Sequence, residues 1–107
     1  MASSTLSKDP KIQEMQIEQK ELLLVANLVT PSAEDSGIVS ISGSLTARVI
    51  SIDLKEPPRS VQKVRVINRA TGESILLAGA PSVSGNSVSV TCDGTLASSV
   101  CIEVSYK

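Results

Sequence analysis

This chain has no histidine, phenylalanine or tryptophan, and its 107 residues include a single tyrosine, Tyr106. Each absence closes a line of function. Without histidine the chain lacks the commonest general base and the commonest transition-metal ligand. With one aromatic ring in the whole chain it lacks the stacking platforms that single-stranded nucleic acid requires, and its surface is a poor one for sugars. Two cysteines, Cys92 and Cys101, are too few for a four-ligand zinc site. No glycine-rich phosphate loop precedes a helix; the Gly85-Asn86 and Thr71-Gly72 pairs sit in hairpin settings instead. The serines have no base to activate them. Asp53, Glu56, Asp93 and Glu103 are the carboxylates available for glycoside chemistry, and nothing in the sequence brings any two together. A catalytic site needs several convergent groups, so the expectation is a protein that is not an enzyme and takes no cofactor or metal.

Charge is balanced as well. Ten Lys and Arg against eleven Asp and Glu leave a net charge of −1, which gives no reason to expect nucleic acid or an anionic membrane as partner. The longest apolar run, Leu22 to Ala26, is far short of the roughly 20 residues that span a bilayer as a helix. The first residues carry neither a basic nor an apolar signal region, so synthesis in the cytoplasm is expected. The interior must be made of Val, Ile, Leu and Ala. Small aliphatic domains have little reserve, since net stability is typically about 5–15 kcal/mol. This favours stabilisation by neighbours in an oligomer or assembly.

What the sequence does contain is alternation. From Ser82 to Tyr106, Val88, Val90 and Cys92 share one phase, and Ser87, Ser89 and Thr91 share the other. After a loop at Asp93-Gly94, Val100, Ile102, Val104 and Tyr106 alternate with Cys101, Glu103 and Ser105. Period two with β-branched residues and Gly/Asn turns predicts antiparallel strands with one buried face. Cys92 falls in the core phase and Cys101 outside it, which predicts two free thiols unless a bulge restores the phase.

Earlier in the chain the signals are mixed. Residues 1–9 read as a polar arm. Asp9-Pro10 is a helix opening, followed by a stripe of Ile12, Met15, Gln19, Leu22, Ala26 and Val29 at spacings of three and four. The reading is a helix near 10–21 and then a strand to about Val29, ended by Pro31. The stripe packs either on its own domain or against copies of itself about a symmetry axis. Between Ile38 and Leu54, Val39 and Ile41 share a face, then Leu45, Ala47 and Val49, and then the phase flips to Ile50, Ile52 and Leu54. Such a flip predicts a β-bulge or a strand covered on both faces. Lys55 to Arg59, with Pro57-Pro58, is a connection. Val61 to Ala78 reads as a hairpin turning at Ala70-Thr71-Gly72, with Lys63 and Arg65 on its outward face, Arg69 at its turn and Arg48 nearby. This basic face either docks on an acidic partner or is a solvated face whose lysine blocks edge pairing.

Six or seven short strands at this spacing predict an all-β fold. The expected architecture is an antiparallel β-sandwich or partial barrel, immunoglobulin-like or related, with an N-terminal arm or short helix. Residues 1–30 form the arm and 31–107 the sandwich. The residues singled out for protein contact are Ile12, Met15, Leu22, Arg48, Lys63 and Arg65.

The run from Val64 to Lys107 has a Thr71-Gly72-Glu73 turn after a strand, a Pro-containing loop, a Gly85-Asn86 hairpin and a last strand ending in Tyr106-Lys107. In this it resembles the small β-rich accessory proteins of tailed-bacteriophage particles, which decorate or cement capsids, often as trimers, with an N-terminal arm along the shell. The resemblance implies a structural virion protein made in the host cytoplasm and carried on the capsid surface. Its partner would be the major capsid protein or another virion protein, and it would be a homo-oligomer, with a trimer favoured. The other class of function is an immunoglobulin-like recognition module. Its loops at Pro57-Pro58, Gly85 and Asp93 would bind a ligand or cell-surface target, although they lack the Tyr and Trp that anchor most binding hot spots.

Overall fold

The computed structural model describes residues 20–94 and 96–107. Eight strands lie among them: β1 (Lys20–Asn27), β2 (Ser32–Ala33), β3 (Val39–Ser44), β4 (Ala47–Asp53), β5 (Val61–Asn68), β6 (Ser82–Ser84), β7 (Ser87–Thr91) and β8 (Val100–Tyr106). They form two antiparallel four-stranded sheets. The first has the order β2-β1-β8-β5 and the second β3-β4-β7-β6. The protein is a β-sandwich, and the chain passes between sheets after β2, β4, β5 and β7.

Alternation builds the core. Val100, Ile102, Val104 and Tyr106 of β8 are buried, as are Val88 and Val90 of β7 and Ile50 and Ile52 of β4. Leu24, Ala26, Val64 and Val66 complete the inner face of the first sheet. β8 is flanked on both sides along its whole length, by β1 and by β5, so its inward side chains form the centre of the packing. One end of the sandwich is also fastened. Lys20 forms an ion pair with Glu56, and its ammonium lies 5.9 Å from the centroid of the Tyr106 ring. The backbone of Ser60 pairs with that of Lys107, whose N–H donates to Ser60 O at 2.8 Å.

Several expectations need correction. β1 is an internal strand of the first sheet, in register with β8 from Lys20↔Tyr106 to Ala26↔Val100. The first strand of the sandwich therefore begins at Lys20, and Lys20 and Glu21 are extended and not helical. The remainder of the expected helix, residues 10–19, lies outside the described residues. The apparent phase flip near Val49 is no bulge, because β3 and β4 keep an unbroken register from Val39↔Ile52 to Ser44↔Ala47. Leu45 and Thr46 form the hairpin turn, and Arg48, expected near the outward basic face, instead takes an inward position in phase with Ile50 and Ile52. Finally, Ile75 to Ala78 does not return as a strand beside β5. The segment makes one bridge from Ser74 to Ile67, then leaves for the other sheet, where Leu77 bridges Cys92.

Candidate functional site

The chain's own fold completes one face of each sheet and leaves the other open. On the second sheet the open face is hydroxylic. Ser40, Ser51, Ser89 and Ser82 lie in one row across its four strands, with Ser51 and Ser89 Oγ 3.1 Å apart. On the first sheet the open face is mixed, and three rows cross β1, β8 and β5 in register. Glu21, Ser105 and Lys63 make the first, Leu23, Glu103 and Arg65 the second, and Val25, Cys101 and Ile67 the third. Leu23 is 70% exposed, while its neighbours Arg65 and Glu103 are half-buried. The first two rows line a shallow depression of about 150 Å³.

Charge on this face is sorted by strand. The β1 side carries Glu21, and Glu34 follows where its N–H donates to Val25 O at 3.0 Å. The β5 side carries Lys63 and Arg65, with Arg69 beyond, whose guanidinium donates to Ser99 Oγ at 3.3 Å. Glu103 stands on the central strand between these two sides, and the apolar row of Val25, Cys101 and Ile67 lies next to it, so the face combines exposed apolar groups with polar ones as protein-contact surfaces do.

The expected contact residues separate. Lys63 and Arg65 do sit together, on the outward side of β5. Leu22 is half-buried and turns inward against the core; its neighbour Leu23 holds the outward position. Arg48 does not join the basic strand. It lies in the other sheet, 8% exposed, because its guanidinium donates to three backbone carbonyls. Nε donates to Leu28 O at 2.9 Å, Nη1 to Gly43 O at 2.7 Å and Nη2 to Val29 O at 3.3 Å. Ile12 and Met15 lie outside the described residues. Leu23 and Glu103 were missed. The Leu22-Leu23-Leu24 run hides which leucine faces out, but the sheet register with β8 decides it.

A second depression, about 400 Å³ and open, lies beside the Asp93-Gly94 loop and includes Glu73 and Leu76. Leu76 is 68% exposed. Among the described residues no cluster of three or more potential metal ligands occurs, and no helix is long and apolar enough to cross a membrane.

Both cysteines are free, as their opposite phases required. Cys92 is 1% exposed, and burial of the thiol raises its pKa above the ordinary 9.0. The folded state therefore holds this proton more tightly than the unfolded chain does. Its contribution is fully present below the unfolded pKa and is lost as pH rises through the folded one. Stability is expected to fall as pH climbs past 9.0. A Cys92→Ala chain should lose that part of the slope, which chemical denaturation at a series of alkaline pH values reads directly.

Compared with known proteins, the chain matches no family model, no curated sequence and no solved structure.

Proposed function

We propose that this chain is a structural protein that decorates or cements a phage capsid through protein–protein contacts. The observation that carries the reading is the outer face of the first sheet. Its apolar row and the exposed Leu23 are left over after the sandwich core is complete, and both are bordered by sorted charge. Large apolar side chains held on a rigid sheet in such a setting suit contact with another protein surface. The Val- and Ser-rich hairpins from Val64 onward, similar to those of phage accessory proteins, give the surface its context. Energy would come from area buried against neighbouring subunits and not from a deep pocket.

The test is co-sedimentation of the purified full chain with particles of the phage that encodes it. Binding to assembled particles and not to free major capsid protein is the expected result. No binding to those particles would end this reading. The depression beside Asp93-Gly94, with exposed Leu76 at its edge, favours the second reading, recognition of a ligand through loops. Substitutions at Asp93 and Leu76 that abolish binding to a cell-surface target, with particle binding absent throughout, would establish it.

A further inference from the structure

We propose that the outer face of the first sheet is a two-fold interface between copies of this chain, with β8 lying along the axis. It rests on the reading of that face as a protein-contact surface and names a second copy of this chain as the neighbouring subunit that covers it, and it stands or falls by itself in free protein.

The inference comes from the register. Glu21 and Lys63 lie in the same row, on opposite sides of Ser105. A two-fold axis parallel to β8 and above it keeps each row at its own height and exchanges left with right. Glu21 of one copy then faces Lys63 of the other, and the same pair forms again across the axis. In the next row Leu23 comes over the aliphatic stem of the other copy's Arg65, where long cationic side chains cover apolar surface while keeping their charge in water. Each Glu103 stays beside the Arg65 of its own sheet, its register partner, which offsets the approach of the two carboxylates near the axis. Val25, Cys101 and Ile67 form an apolar row that meets its own copy. An isologous patch must be self-complementary in this way, and an axis perpendicular to the strands fails the requirement because it sets β1 against β1, acid side to acid side.

Sheets packed face to face lie about 10 Å apart, with strands turned by about 30°. Carboxylate and ammonium groups on opposite sheets reach each other across that gap. The two Cys101 residues meet at the axis, but a disulfide needs Cα atoms within about 4.4–6.8 Å, so the thiols abut and remain unbonded.

The charge arrangement supplies the test. Native mass of the full chain is measured by sedimentation over a wide concentration range, for the parent, Glu21→Lys, Lys63→Glu and the double variant. Both positions are exposed, and circular dichroism confirms that each variant folds. The parent is expected to dimerise. Each single variant brings like charges together twice and should weaken the dimer by about tenfold or more. The double variant restores opposite charges and should recover it. In the parent, maleimide labelling of Cys101 should slow as concentration rises, while Cys92 stays slow at every concentration. A parent chain that remains monomeric overturns the proposal. So does a dimer, or a trimer closed through residues 12–22, whose mass is indifferent to all three substitutions. Because no particle is present, failure here leaves the capsid-binding result to be judged separately.

Discussion

An Arg48→Met chain is expected to unfold with about 3–5 kcal/mol less free energy than the parent, measured by urea denaturation. The methionine stem fills much of the space of the arginine stem, so the loss is in hydrogen bonding. Three carbonyls depend on this one guanidinium: Leu28 O, Val29 O and Gly43 O. Leu28 and Val29 carry the chain out of β1, and Gly43 belongs to β3, so the side chain ties the end of one sheet to the edge of the other. Bonds to charged donors are worth about 1.5–3 kcal/mol each, and a buried acceptor left without a donor costs about 1–3 kcal/mol. Part of this is offset because methionine no longer buries a charge. A domain whose total is typically about 5–15 kcal/mol would be left marginal. Lysine is no substitute, since an ammonium on a flexible stem cannot hold the geometry of a planar fork. A change below about 1 kcal/mol would mean that water satisfies these carbonyls as well as Arg48 does.

Gly43→Ala is expected to cost about 2–4 kcal/mol. Gly43 has φ +82°, and a Cβ there would press on Ala47 O of the same hairpin. The contact is with backbone, so relief requires moving β3 away from β4. The left-handed conformation alone costs an L-residue about 1–2 kcal/mol. Gly43 O is also an acceptor of Arg48, so the two substitutions share a structure and their effects should fall short of additive in the double variant. The same denaturation series, run on both single variants and the double, measures the coupling. Additive losses would show that Gly43 and Arg48 stabilise the fold independently.

The parts of this fold that could be read from sequence are those where burial follows alternation. Val88, Val90, Cys92, Val100, Ile102, Val104 and Tyr106 all face inward, as period two requires. The opposite placement of the two cysteines followed from the same count. Reading failed where an inward place was taken by a residue of the wrong polarity. Arg48 is buried because its donors meet three carbonyls from two separate stretches of the chain, Leu28-Val29 and Gly43, a convergence that no local pattern carries. Its polarity shifted the apparent phase of β4 and made the turn residue Leu45, 61% exposed, look like part of a buried face. Ile75 to Ala78 looked like the returning strand of a hairpin, yet the bridges there are limited to Ser74 with Ile67 and Leu77 with Cys92. Propensity is overridden there by the need to connect two sheets.

The candidate surface was legible in half. Lys63 and Arg65 alternate with Val64 and Val66, so their outward direction was available. Their acidic counterpart was not, because Glu21 comes beside them only through two successive pairings, β1 to β8 and β8 to β5. Leu23 was hidden within an apolar run that fits helix or strand equally. Sheet register converts these scattered residues into one face with an acidic and a basic border.

The most direct measurement is the native mass of an equimolar mixture of the Glu21→Lys and Lys63→Glu chains. Each is expected to be mainly monomeric alone, at a concentration where the parent is dimeric. Mixed, one chain brings positive charge at both positions and the other negative charge at both, so every pair across the axis is complementary. A heterodimer should form from two chains that do not self-associate. A mixture that stays monomeric while the parent dimerises would show that the parent's interface lies elsewhere on the molecule.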